Sequence, residues 1–275
     1  MTTTLPLPSA AVQRGSAPWC VAHRGASDVA PENTLAAVRA AVAAGADHIE
    51  IDVRRTADRA LVLHHDASLA RTTDVQAVYP DRAPWRVGDF TLAELTRLDA
   101  GTWFAPTYAG EPVPTLEQVL DVLRGTGVGL MLELKEPGHQ PGVVSELASE
   151  LRFQAARPAS PRVLVQSFDH QAMALFKACE SAFDVGLIGK PRRTQLARLA
   201  TWAAAVNPHH YSVDAEYVEA VKTTGMRCMV WTPNSTRSMR RALRLGVDAV
   251  TTDRPAQLRE LLPVADENSL MTTSR

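Results

Sequence analysis

Eight short apolar runs rich in β-branched residues alternate along the chain with longer Ala- and Leu-rich stretches of helical period, and this alternation restricts the fold more than any other feature. Strands joined by helical crossovers pair in parallel, and covering both sheet faces makes each strand read as a continuous apolar run. The runs are WCVAH from Trp19, HIEIDVR from His48, GLMLELK from Gly129, RVLVQSF from Arg162, FDVGLIG from Phe183, HYSVD from His210, MRCMVWT from Met226 and DAVTT from Asp248. Between them, helical period is read at Pro114 to Arg124, Gly142 to Arg152, Gln171 to Cys179, Ala215 to Thr223 and Ser235 to Leu245. After the first run, Asn33 or Thr34 is placed to cap a helix whose Leu35, Val38 and Val42 share one face, and Gly45 stops it. Eight such strands predict an α/β fold closed into a (β/α)8 TIM barrel, and 275 residues is near the roughly 250 of one barrel. Two independent domains remain an alternative at this length.

The alternation breaks between Leu61 and Pro114, where Pro, Gly, Trp and Thr accumulate over a stretch too long for an ordinary βα loop. It reads as a small insertion after the second strand, about 67–113, with one short helix over Thr91 to Leu98 and an apolar wall from Trp103 and Phe104. The barrel is expected over 19–263, with tails at 1–18 and 264–275. The first tail lacks the basic and apolar regions of a signal peptide, and no apolar run is long enough to span a bilayer, so a cytoplasmic site is expected. Cys20, Cys179 and Cys228 are odd in number and far apart, which predicts reduced thiols. A net charge of -1 gives no electrostatic reason to expect nucleic acid or an anionic membrane as partner.

In such barrels the chemistry gathers at the C-terminal ends of the strands. His23 and Arg24 close the first run, followed by Gly25. Glu50 and Asp52 are two residues apart on the second, so strand geometry sends both carboxylates to one face; Glu133 and Lys135 repeat the spacing on the third. Carboxylates held together in an apolar scaffold repel one another and resist desolvation unless a cation neutralises them. All-oxygen ligands favour Mg²⁺, Ca²⁺ or Mn²⁺ over zinc. The alternative for Glu133 is a simple salt bridge with Lys135. His65, next to Asp66 after a short strand, is a second imidazole, and a pair of them suits proton transfer near neutrality.

These residues lie in segments that together resemble the glycerophosphodiester phosphodiesterases. AHRGA, PENTLAAV, IEIDVRRTAD and HHDASLARTTD carry the likeness, and DFTLAELTRLDAG, GEPVPTLEQVL, LMLELK, VQSFD, VWTPN and VTTDRP continue it in order, from about Trp19 to Leu261. The resemblance implies the barrel with its insertion, metal ligands at Glu50, Asp52 and Glu133, and one divalent cation, Mg²⁺ or Ca²⁺. It implies a catalytic pair, His23 as acid and His65 as base, although their order is not legible in the residues themselves. It also implies phosphate contacts from Arg24 and Lys135 and an apolar pocket wall from Phe168 and Trp231. The expected reaction is hydrolysis of a small glycerophosphodiester to glycerol 3-phosphate and an alcohol.

Glu32 and Asn33 are read as serving the first loop's turn and hydrogen bonding, and His48 and His64 as structural. Asn207, His209 and His210 are candidates to touch the substrate alcohol. Two other readings stay open: a lysolipid substrate held by Trp103, Phe104 and Trp231, and a catalytically silent barrel that binds a phosphate ester.

Overall fold

The computed structural model describes residues 17–263. Of the expected tails, 264–275 and all of 1–18 except Ala17 and Pro18 lie outside the described residues. Nine strands form the sheet: β1 Trp19–His23, β2 His48–Arg55, β3 Leu61–Leu63, β4 Gly129–Leu134, β5 Val163–Ser167, β6 Asp184–Ile188, β7 Ala205–Asn207, β8 Arg227–Trp231 and β9 Ala249–Thr252. All pair in parallel except β3, and β1 bonds both β2 and β9, which closes eight strands into the expected (β/α)8 barrel. Helices cover its outside, including Leu35–Ala43, Leu116–Leu123, Val143–Ala155, His170–Cys179, Ala215–Thr223 and Thr236–Arg244. Thr34, not Asn33, caps the first of these, its Oγ1 accepting from the Ala37 amide at 3.2 Å.

The barrel interior is packed. Val21, Met131, Leu164, Ala205, Met229 and Ala249 fill it as one buried cluster. His48 closes its lower end, with its ring stacked on Trp19 at 4.3 Å. A Cβ at Gly129 would lie 2.4 Å from the His48 ring, so the bare backbone there is what admits the imidazole. Burial, above all, pushes the His48 pKa down to about 4, which fits a structural residue that stays neutral.

One strand differs from its expected position. His210–Asp214 is a turn, and the strand is Ala205–Asn207. The Asp214 carboxylate accepts from the Tyr217 amide at 2.8 Å, so the end of HYSVD starts a helix. The true strand is only AVN, continuing an Ala run whose composition reads as helix, and its Ala205 is small because it sits inside the barrel. Three short α-helices, Val75–Val78, Arg193–Leu199 and Pro255–Arg259, lie where the sequence pattern predicts none.

β2 rises past the barrel mouth, and β3 returns antiparallel beside it with Val53 opposite Leu63. The His64 amide donates to the Asp52 carbonyl at 3.0 Å, so the chain descends to the level of Asp52 before it leaves the sheet. The segment that follows has its own small core of Val62, Leu69, Val75, Val87, Phe90 and Leu95, separate from the core under the main helices. The helix expected over Thr91 to Leu98 is a single turn, Leu92–Leu95, started by a capping box between Thr91 and Glu94.

Candidate active site

The mouth of the barrel gathers the acidic residues. Asp52 on β2 is directly opposite Glu133 on β4, and His23 on β1 is opposite Glu50. Oxygens of Glu50, Asp52 and Glu133 lie within 4.8 Å of one another, and all three residues are buried. The first loop sets their orientation. Gly25 adopts φ +85°, and a Cβ there would lie 2.6 Å from Ala37 backbone and side-chain atoms, so only glycine lets the loop pack on the first helix. The loop thereby delivers Asn33, which donates to Asp52 Oδ2 at 2.8 Å and accepts from the Asp52 amide at 3.1 Å.

Two side-chain cations serve these three acids. Lys135 Nζ lies 2.7 Å from Glu133 Oε1 and 3.5 Å from Asp52 Oδ1, while Arg24 Nε lies 3.1 Å from Asp52 Oδ2. Glu50 receives the Arg24 backbone amide at 3.2 Å, and its nearest basic side chain is His23, at 4.0 Å. Burial raises the pKa of both Glu50 and Glu133, and the neighbouring Asp52 charge adds to it; Glu50 reaches about 8. Asp52 goes the other way, since Arg24 and Lys135 outweigh its burial. The unbalanced charge therefore falls on Glu50. Three buried carboxylates facing two cations, with oxygen as the only donor, fit a hard divalent cation. The Lys135–Glu133 pair exists as well, yet it leaves Glu50 uncompensated.

The two histidines are held alike and tuned apart. His23 Nδ1 meets Asp253 Oδ1 at 2.6 Å, and His65 Nδ1 meets Asp66 Oδ1 at 2.6 Å. Each ring thus keeps Nε2 unclaimed by that anchor. Burial lowers the pKa of both rings, but Asp253 and Glu50 reverse it for His23, which ends above the ordinary histidine value. For His65, burial prevails. Arg54 steadies His65 from behind, donating from Nε and Nη2 to its carbonyl at 3.0 and 2.8 Å.

A cavity of about 180 Å³ is lined by both histidines, Arg24, Glu50, Glu133 and Lys135, with Phe168 and Trp231 on its far wall. Asp52 is buried next to this group. A larger outer cleft of about 660 Å³ shares His65, Glu133, Lys135 and Phe168 but lacks His23 and Glu50, so of the two it is the inner cavity that both histidines line. Phe168 and Trp231 meet edge to face at 5.8 Å, and Trp231 Nε1 donates to the Asn207 carbonyl at 2.8 Å. Asn207 lines the cavity, hydrogen bonded to Gln166, whereas His210 is buried away from it and His209 stands exposed beside Trp231. Trp103 and Phe104 do not line it; they pack on each other, and Phe104 also on Tyr108. His64 is buried, with Nε2 bonded to the Ser68 carbonyl at 3.0 Å. Sequence reasoning passed over Asp253 and Gln166. Asp253 had a signal in its place just past the last strand, inside VTTDRP.

Residues 23–257 match the model of the glycerophosphoryl diester phosphodiesterase family. A glycerophosphodiester phosphodiesterase of Caldanaerobacter subterraneus is 33% identical over 250 residues, covering 88% of this chain and 96% of that one. One from Bacillus subtilis is 31% identical over 252 residues, covering 86% and 83%. A phosphodiesterase of Oleispira antarctica, solved with sn-glycerol-3-phosphate, superposes with a TM-score of 0.78 at 32% identity, covering 89% of this chain and 96% of that one. With the barrel and its acidic mouth already described, these likenesses assign the chain to the glycerophosphoryl diester phosphodiesterase family, enzymes that hydrolyse phosphodiester bonds.

Proposed function

We propose that the chain cleaves glycerophosphodiesters by a two-histidine mechanism at a site that holds one divalent cation, Mg²⁺ or Ca²⁺, on Glu50, Asp52 and Glu133. The observation that carries the reading is the pair of cavity-lining imidazoles, each anchored through Nδ1 to its own carboxylate and tuned in opposite directions beside the acid cluster. Groups whose surroundings push their pKa values apart divide into an acid and a base. His65, held low, takes the proton of the substrate hydroxyl next to the phosphodiester as that oxygen bonds to phosphorus. His23, held high, gives its proton to the alcohol oxygen whose bond to phosphorus breaks. Attack from within the substrate yields a five-membered cyclic phosphate, and the proximity of the two groups removes much of the entropic barrier. Water opens the ring with the proton roles exchanged, which leaves glycerol 3-phosphate.

Arg24 and Lys135 face the phosphoryl oxygens, the first as a flat fork and the second as a point charge. A divalent cation held by Glu50, Asp52 and Glu133 would supply further positive charge where the phosphoryl oxygens gather. Phe168 and Trp231 form the apolar side of the pocket. Lysolipid turnover loses support because Trp103 and Phe104 lie off the cavity wall. We assign the protein to the cytoplasm on its free cysteines and on the lack, among the described residues, of any helix long and apolar enough to cross a membrane. The test is release of glycerol 3-phosphate from glycerophosphocholine, with and without chelator, followed by adding back Mg²⁺ or Ca²⁺. Full activity in chelator would remove the cation from the scheme, and no release under any condition would remove the reaction.

A further inference from the structure

One side chain of the insertion reaches both halves of the site without touching the cavity. Arg71 lies in the one-turn helix Leu69–Arg71, whose Leu69 is fully buried in the insertion's own core. Its Nε lies 2.6 Å from Asp66 Oδ2, and the other oxygen of that carboxylate holds His65. Its Nη1 and Nη2 grip Glu32 at 2.9 and 2.7 Å. Glu32 Oε1 in turn accepts from Arg24 Nη1 at 2.9 Å. His65 and Arg24 are thus the two ends of a chain of ion pairs, with Arg71 at its middle. The guanidinium itself lines neither the inner cavity nor the outer cleft.

We propose that Arg71 is a positioning residue: its single guanidinium clamps the carboxylates that orient His65 and Arg24, so the insertion sets the geometry of the site. The inference rests on the roles of His65 and Arg24 given above. Geometry favours the assignment over a surface ion pair. A planar fork satisfies two carboxylates at once from fixed directions, which an ammonium cannot do. Glu32 and Asp66 are otherwise two acids on separate loops, and Arg71 is the basic side chain that pairs with both; a second tie between the insertion and the first loop, the Tyr108 hydroxyl donating to the Val29 carbonyl at 2.7 Å, touches neither acid. A displacement of about 1 Å in a catalytic group costs on the order of 10²-fold in rate.

The test compares Arg71→Met, Arg71→Lys, Glu32→Gln and His65→Ala, with the double variant of Arg71→Met and His65→Ala, in steady-state hydrolysis of glycerophosphocholine. Arg82→Met, which breaks the Arg82–Glu94 pair elsewhere in the insertion, is the control for a merely structural effect. Arg71→Met is expected to lower kcat by about 10- to 100-fold with a melting temperature close to that of Arg82→Met, whose kcat stays at the wild-type level. Arg71→Lys recovers only part of the loss, and Glu32→Gln, which frees Arg24, raises KM. In the His65→Ala background Arg71→Met adds little to the loss in kcat, because that share of its effect runs through His65, while the rise in KM that it shares with Glu32→Gln, through Arg24, persists. Wild-type kcat in Arg71→Met, or losses that multiply in the double variant, overturns the clamp. If His65→Ala itself stays active, the mechanism fails and the clamp with it; if only Arg71→Met stays active, the clamp alone fails.

Discussion

Replacing Glu50 by Gln tests the charge balance at the barrel mouth, because stability and cation response should move in opposite directions. The carboxyl is 2% exposed, and burial together with Asp52 raises its pKa from the ordinary 4.5 to about 8. Without a cation the folded protein keeps that proton while the unfolded chain releases it, so stability is whole below pH 4.5 and drains away as the pH rises toward 8. At about 1.4 kcal/mol per pH unit the ceiling is roughly 5 kcal/mol. Glu50 and Glu133, both raised and coupled, share this cost, which leaves about 2 kcal/mol for Glu50 alone. The amide of Gln is neutral throughout and still accepts from the Arg24 amide. In chelator the variant should therefore melt about 4–8 °C above wild type at pH 8, and level with it at pH 5. Saturating Mg²⁺ or Ca²⁺ should reverse the order, since a ligand at a hundred times its Kd stabilises by about 2.7 kcal/mol and the variant lacks one of three charged ligands. Calorimetric scans at both pH values, in chelator and in cation, read all of this. A variant that melts below wild type in chelator at pH 8, or that gains as much from the cation, would refute the reasoning.

Replacing His23 or His65 by Ala should lower turnover on the order of 10² to 10⁴, the usual contribution of a placed acid or base; near-normal glycerol 3-phosphate release from either variant discards that residue's role. Asp253→Asn removes the partner that raises the His23 pKa, so the acid should lose its proton at lower pH. The alkaline limb of the kcat/KM profile then moves toward neutrality, and an unmoved limb contradicts the anchor. His64 is held neutral by burial with its pKa near 4, so the unfolded chain binds its proton first and stability is lost as pH falls from 6.5 to about 4. That share amounts to roughly 3 kcal/mol; His64→Gln should remove it, narrowing the gap in melting temperature between the variant and wild type under acid, and a constant gap argues against it.

Much of the fold was legible because strand period and helix punctuation are local signals. The placement of Glu50, Asp52 and Glu133 on one face follows from counting residues along two strands, and the structure gathers their oxygens as that counting requires. His65 was harder, since it hangs on a short antiparallel strand whose descent to the level of Asp52 is set by hydrogen bonds to β2. β7 was misplaced because three residues carry too little pattern against an Ala-rich background. Partners such as Asp253 for His23, or Arg71 for Glu32, lie far away in the chain, and a single sequence holds no trace of which distant charge meets which. The nature of each carboxylate was readable; its environment, and so its charge state, was not.

The ribbon of β2 and β3 has a bearing on how such a chain can diverge. Its two arms meet through the tight connection at Thr56–Ala60, where Thr56 Oγ1 accepts from the Ala60 amide at 2.8 Å and Arg59 takes a positive φ of 70°. Gaining or losing one residue there would rotate every later side chain of β3 to the opposite face and carry His65 out over solvent. The stretch from Asp52 to Arg71 is thus metered residue by residue. Divergence of this plan along the ribbon therefore proceeds by substitution and not by insertion or deletion within it.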